Sequence, residues 1–138
     1  MSIADVFENG ERKQDKGHFR NLVMIAKADG IVDASEKNLL EDLGMELGLS
    51  KAQIEEIKAN PEAFEITPPA SRTERFEQIV NLIQMVNVDG EVADAEMKLL
   101  EKVAVGIGYK DLDDVDVESI LALIKRGEDT EVIIDELL

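Results

Sequence analysis

The sequence has no cysteine and no tryptophan, a single histidine, a single tyrosine and three prolines. Without cysteine there is no disulfide, thiolate nucleophile, iron–sulfur cluster or cysteine-ligated zinc, and with His18 alone no site can draw on two imidazoles. Four phenylalanines and Tyr109 are the only aromatics, poor equipment for stacking sugar rings. Long apolar runs are missing too. The stretch Leu22 to Ala26 is far below the ~20 residues of a membrane-spanning helix, so no direct membrane insertion is expected. Met1-Ser2-Ile3-Ala4-Asp5 lacks the positive flank and apolar segment of a signal peptide, and position 2 is not the glycine of a myristoylation site. The expected location is the cytoplasm. Positive charge is also scarce: 15 Lys and Arg stand against 31 Asp and Glu, a formal net charge of −16. Such a chain repels phosphate backbones and anionic lipid headgroups, so no nucleic-acid partner is expected, and its natural counterparts are cationic protein partners and metal ions.

What is present fits one globular domain spanning residues 1–138, with 44% hydrophobic and 33% charged residues. A chain of this size buries roughly 68% of its unfolded surface, enough for a core without covalent or metal staples.

The main organising feature is an internal repeat. Shifting the sequence by sixty positions aligns Lys16–Gly48 with Phe76–Gly108 without a gap. Identities fall at Asn21/Asn81, Leu22/Leu82, Asp29/Asp89, Gly30/Gly90, Val32/Val92, Glu36/Glu96, Leu39/Leu99, Leu40/Leu100, Glu41/Glu101 and Gly48/Gly108. About two matches are expected between unrelated segments of this length, so a duplicated unit is indicated. Each unit reads as a helix, an Asp-Gly turn and a second helix. The first helices are apolar on nearly every side (Phe19, Leu22, Val23, Met24, Ile25, Ala26; Phe76, Ile79, Val80, Leu82, Ile83, Met85, Val86), as befits helices buried all round. The second helices carry one apolar stripe each, Leu39, Leu40, Leu43, Leu47 and Leu99, Leu100, Val103, Ile107, and end at Gly48 and Gly108 in the C-capping position.

Boundary signals complete an all-helical reading. Ser50-Lys51-Ala52-Gln53 is a capping box with Leu49 and Ile54 as its hydrophobic staple, opening a helix that Pro61 ends. Ser71-Arg72-Thr73-Glu74 is a second capping box. Among Asp111, Asp113, Asp114 and Asp116 lies the cap of a helix bearing Ile120, Leu121, Leu123 and Ile124, stopped by Gly127. Asp129 or Thr130 caps a last helix that docks through Val132, Ile133 and Leu137. The expectation is a compact all-α domain of about seven or eight helices with a pseudo-twofold arrangement of helix–turn–helix units and essentially no sheet. The methionines read as core gap-fillers, and His18, near a helix start, reads as a surface or capping residue.

Chemistry concentrates in the two acidic turns. Their shared pattern D-G-x-V-x-x-x-E, Asp29 to Glu36 and Asp89 to Glu96, equals the second half of an EF-hand calcium loop. The first half is incomplete: positions one and three, which need oxygen ligands, hold Ile25 and Lys27, then Met85 and Asn87, and of these only Asn87 carries a side-chain oxygen. One reading is structural: glycines supply left-handed residues, Val32 and Val92 pin the turn to the core, and Asp33 with Glu36 caps the following helix. The other is a cation site. Asp29 and Asp89 sit at helix carboxyl ends, where the macrodipole disfavours a negative charge by ~0.3–1 kcal/mol, and a rule broken twice in equivalent places suggests a compensating ligand. On that reading Asp29, Asp33, Glu36, Asp89, Asp94 and Glu96 are the candidate ligands, and two half-sites meeting near the pseudo-twofold axis bind a hard divalent cation, Ca²⁺ or Mg²⁺. Zinc fits less well, given a single histidine.

The doubled A-D-G-x-V-x-x-x-E arrangement, Ala28 to Glu36 and Val88 to Glu96, set among apolar helices of an acidic chain, resembles the TerB-like tellurite-resistance domains over roughly Lys16–Gly108. Strict repetition fails at Asp33/Ala93 and Ala28/Val88. The resemblance implies an all-helical, internally pseudosymmetric, cytoplasmic bacterial domain tied to stress and tellurite resistance, with suspected metal-binding acidic residues at Asp29, Glu36, Asp89 and Glu96. The function expected is therefore a non-enzymatic helical module acting through a protein partner. The alternative is a small carboxylate-dependent hydrolase, which would need a deep pocket lined by two or more acidic turn residues.

Overall fold

The computed structural model describes residues 10–28, 30, 32–66, 68–69, 71–88 and 94–138. Among them are seven α-helices, two short 3₁₀ turns and no strand. In chain order these are α1 (Gly10–Ala26), α2 (Ala34–Glu46), α3 (Lys51–Ala59), a 3₁₀ turn (Pro61–Ala63), α4 (Arg72–Asn87), α5 (Asp94–Gly106), a second 3₁₀ turn (Leu112–Asp114), α6 (Val117–Lys125) and α7 (Thr130–Leu137).

The two helices expected at the centre are there. Phe19, Leu22, Val23, Ile25 and Ala26 of α1 and Ile79, Val80, Leu82, Ile83, Met85 and Val86 of α4 are all buried, and α1 packs more extensively on α4 than any other pair of helices packs together. The flanking helices are arranged reciprocally. α1 contacts α2 and α3 of its own half and α5 of the other, while α4 contacts α5 and α6 of its own half and α2 of the other. α7 closes over α4 and α6. Each stripe residue withdrawn from water contributes about 1.5–3 kcal/mol. Leu40 and Leu43 of α2, and Leu100 and Val103 of α5, face this core.

Helix ends follow the chemistry of their sequences. Gly48 and Gly108 adopt φ of 79° and 120°, and both close Schellman motifs. Leu49 N donates to Gly44 O at 3.1 Å and Gly48 N to Met45 O at 2.9 Å; sixty residues on, Tyr109 N donates to Ala104 O at 2.9 Å and Gly108 N to Val105 O at 3.1 Å. Gly127 (φ 84°) ends α6 the same way, through Glu128 N to Leu123 O. The capping box at Ser50 and Gln53 is complete, with bonds of 3.1 and 2.8 Å. Ser71 accepts from Glu74 N at 3.1 Å. Asp111, Asp116 and Asp129 cap the second 3₁₀ turn, α6 and α7.

Several expectations need correction. Val32 is 38% exposed, so it does not pin its turn to the core; the buried Glu36, bonded back to the Asp33 amide, anchors the turn instead. Met45 is 70% exposed and does not fill the core. His18 is not a surface residue, being 2% exposed, because it lies one residue before Phe19 on the face of α1 that meets α4. In α7, Ile133 is wholly buried, but Leu137 is 36% exposed.

Candidate functional site

The acidic turns are only partly within the described residues: Asp29 and Asp89 lie outside them. Asp33 is the N-cap of α2. Its carboxylate accepts from Glu36 N at 2.8 Å, and Glu36 Oε1 accepts from Asp33 N at 3.2 Å, a reciprocal capping box. Asp94 is the exposed first residue of α5. Glu36 and Glu96 occupy equivalent first-turn positions of α2 and α5, and each is 3% exposed. Of the candidate ligands, the structure thus joins Asp33 and Glu36. Among the described residues no group of three or more histidine, aspartate or glutamate side chains is placed to hold a metal ion.

Acidic side chains gather elsewhere. A cavity of about 520 Å³ lies between the end of α2, the first half of α4 and the start of α7, lined by Glu46, Glu77, Asn81, Asp129, Thr130, Glu131 and Ile134. Its position follows from local rules. The Schellman turn after Glu46 ends α2 at the rim, the turn at Gly127 swings the chain back, and Asp129 starts α7 by accepting from Val132 N at 3.0 Å. α4 supplies Glu77 and Asn81, four residues apart and therefore on one face.

A polar network supports the floor of this cavity. Gln84 Nε2 donates to Thr130 Oγ1 at 3.3 Å, Thr130 Oγ1 donates to Asn81 Oδ1 at 3.4 Å, and Asn81 Nδ2 donates to His18 Nε2 at 3.1 Å. Asn81 and His18 are buried, at 6% and 2% exposure. With the Asn81 amide donating, Nε2 accepts and the proton sits on Nδ1, which has no partner among the described residues. Burial drives the His18 pKa down to about 3, since an imidazolium here would lose its hydration.

The cavity's electrostatics run one way. Glu77 has its proton affinity raised, first by partial burial and then by the negative charges of Glu74, Glu131 and Glu46. Four carboxylates and no lysine or arginine are among the described residues lining the space, so like charges accumulate without an internal counterion.

None of this cavity's lining residues belongs to the acidic turns. Its residues come from three helices with no shared motif, and only Asp129 and Thr130, as alternative caps, and Asn81, as a repeat identity, carried a sequence signal. A usable signal did exist for the network, however. An asparagine recurs at equivalent positions in two helices that are otherwise apolar all round, Asn21 and Asn81, and a polar residue in such a helix is a buried one needing partners. Asn21 is indeed 1% exposed, with its Oδ1 accepting from Arg20 Nη1 at 2.9 Å. Compared with protein-family models, with curated proteins and with solved structures, the chain finds no match.

Proposed function

We propose that the protein is a non-enzymatic helical module that works by binding a partner, and that the cavity between α2, α4 and α7 receives a cationic side chain of that partner. The observation that carries this reading is the unneutralised group Glu46, Glu77, Asp129 and Glu131 around about 520 Å³. A lysine or arginine entering it would relieve the repulsion that, after burial, raises Glu77 and gain charge-assisted hydrogen bonds. A role as a TerB-like module in bacterial stress or tellurite resistance is part of the proposal; the doubled acidic turn motif and the all-helical fold support it. Calorimetric titration with an oligolysine peptide tests the cavity. Glu77→Gln with Glu131→Gln is expected to weaken binding by tenfold or more, while Glu55→Gln with Glu62→Gln, exposed carboxylates elsewhere on the surface, changes it little. Equal losses in both variants would reduce the interaction to unspecific attraction by a −16 chain and overturn the reading.

A divalent cation at the Asp-Gly turns is a second reading, favoured by the burial of Glu36 and Glu96 at equivalent places. Ca²⁺ or Mg²⁺ at about one hundred times its dissociation constant should then stabilise the fold by ~2.7 kcal/mol. Asp29→Asn with Asp89→Asn should remove that gain. Unchanged melting in millimolar cation, with no heat of binding, rules the site out.

A further inference from the structure

A second cavity, of about 350 Å³, has the opposite character. It is lined by Arg72, Arg75 and Phe76 at the start of α4, by Tyr109, Asp114, Val115 and Asp116 before α6, and by Leu137 and Leu138. Arg72 and Arg75 are three residues apart, hence neighbours on one helix face. In a chain with two acids for every base, both are expected to have carboxylate partners. Yet among the described residues neither forms an ion pair. Arg75 Nε is buried and has no acceptor among the described residues.

The guanidinium is nevertheless held in place. It lies 5.7 Å over the Tyr109 ring centroid, a cation–π distance. It also packs on Gly108, where an added Cβ would come within 3.2 Å of Arg75 Nε. The left-handed glycine that ends α5 thus also makes room for the arginine. Asp114 and Asp116 do not neutralise the pair, because they serve backbone and hydroxyl groups of their own segment. Asp114 accepts from Lys110 N at 3.3 Å, and Asp116 accepts from Ser119 N at 3.1 Å and from Ser119 Oγ at 2.7 Å. Phe76, Val115, Leu137 and Leu138 give the space an apolar side.

The geometry points to a binding site for a small monocarboxylate with an apolar body, its carboxylate on Arg72 and Arg75 and its hydrocarbon against Phe76, Val115 and Leu137. Neither arginine is committed to an ion pair among the described residues, and the terminal guanidinium nitrogens present the fork that a carboxylate fits. The volume is at the small end of ligand sites, about 300–1,000 Å³. The two aspartates on the facing wall disfavour a dianion such as phosphate and tolerate a ligand that also carries an ammonium group.

The test is a titration of ¹⁵N-labelled protein followed through the arginine Nε–H and backbone amide signals. Hexanoate and phenylacetate are the primary probes, L-leucine tests tolerance of an α-ammonium, and inorganic phosphate and hexylamine are controls. Hexanoate and phenylacetate are expected to shift the Arg75 Nε–H and Tyr109 signals saturably at millimolar concentration or below, with hexylamine silent and phosphate weaker. Arg72→Gln, at an exposed position, should weaken binding at least tenfold, and Arg75→Lys, which keeps the charge but loses the planar guanidinium fork, likewise. No saturable shift by 10 mM probe, phosphate binding more tightly than hexanoate, or an unchanged affinity in a folded Arg72→Gln variant would each overturn the assignment.

Discussion

Removing the proton site at His18 should change how stability responds to pH, and the size of the change follows from its burial. The imidazole is 2% exposed and titrates at about 3 instead of the ordinary 6.5. Its folded-state pKa is therefore below its unfolded value. Above pH 6.5 both states are neutral and the group is silent. Below it the unfolded chain takes up a proton that the folded chain refuses, so stability falls as pH falls, down to the folded pKa. The slope is ~1.4 kcal/mol per pH unit, which makes the loss between pH 7.5 and 5.0 about 2 kcal/mol from this one residue. Glu77 works in the opposite sense. Its folded pKa is raised, so its share of stability is present at low pH and is lost as pH rises. That share is common to wild type and variant and cancels in their difference. The assay is urea unfolding of the wild type and His18→Gln at half-unit steps over that range, which stays above the isoelectric point near 4.3. The wild type should lose about 2 kcal/mol more than the variant, with the curves separating below pH 6.5. Parallel curves would show that His18 is solvated in the folded state and refute the reasoning.

Other expectations are simpler. Gly44→Ala should destabilise by ~1–3 kcal/mol in a thermal melt, because the new Cβ would come within 2.8 Å of Ile54 Cδ1 and 3.2 Å of Phe19 Cε2 in a packed core. Gly106→Ala, whose Cβ would meet only Ile66 Cδ1 at 3.6 Å, should instead stabilise by ~0.5–1 kcal/mol through helix propensity; the opposite order would mean that the helices are packed differently. Asp33→Ala removes the acceptor of Glu36 N and should cost ~1 kcal/mol of unfolding free energy. Leu82→Ala, deep in α4 and fully buried, should cost ~2–5 kcal/mol in the same denaturation assay.

Legibility differed by scale. Features set by a few neighbouring residues could be read directly. The glycine stops at Gly48, Gly108 and Gly127, the caps at Ser50 and at Asp129 or Thr130, which the structure narrows to Asp129, and the buried apolar segments of α1 and α4 each depend on contacts within one or two turns or on a simple period. Val32 escaped because an apolar residue in a turn gives no sign of which way it faces once a cap fixes the helix start. His18 escaped for a related reason: its burial comes from Asn81, sixty-three residues away, and a lone histidine in a polar stretch has no local mark of that partner. The acidic cavity and the arginine pair were less legible still. Glu46, Glu77 and Glu131 belong to three helices, and Arg75, Gly108 and Tyr109 to a helix and the turn closing another, so only the packing of α2, α4 and α7, or of α4 against the end of α5, brings them together.

The repeat itself separates two explanations of its acidic residues. In the first half the burial of Glu36 has a local cause, since Asp33 and Glu36 satisfy each other's backbone amides. In the second half the residue in the place of Asp33 is Ala93, which has no side-chain acceptor, so the same reciprocal box cannot form. Glu96 is nonetheless as deeply buried as Glu36, at 3%. Burying a carboxylate carries a desolvation cost, and it is borne where the capping explanation has lost half its chemistry. Glu36 and Glu96 both stand in the first turn of a helix, whose amino end favours a carboxylate in either half. Capping by Asp33 is thus an addition that Ala93 cannot repeat, laid over a first-turn glutamate that is buried in both halves.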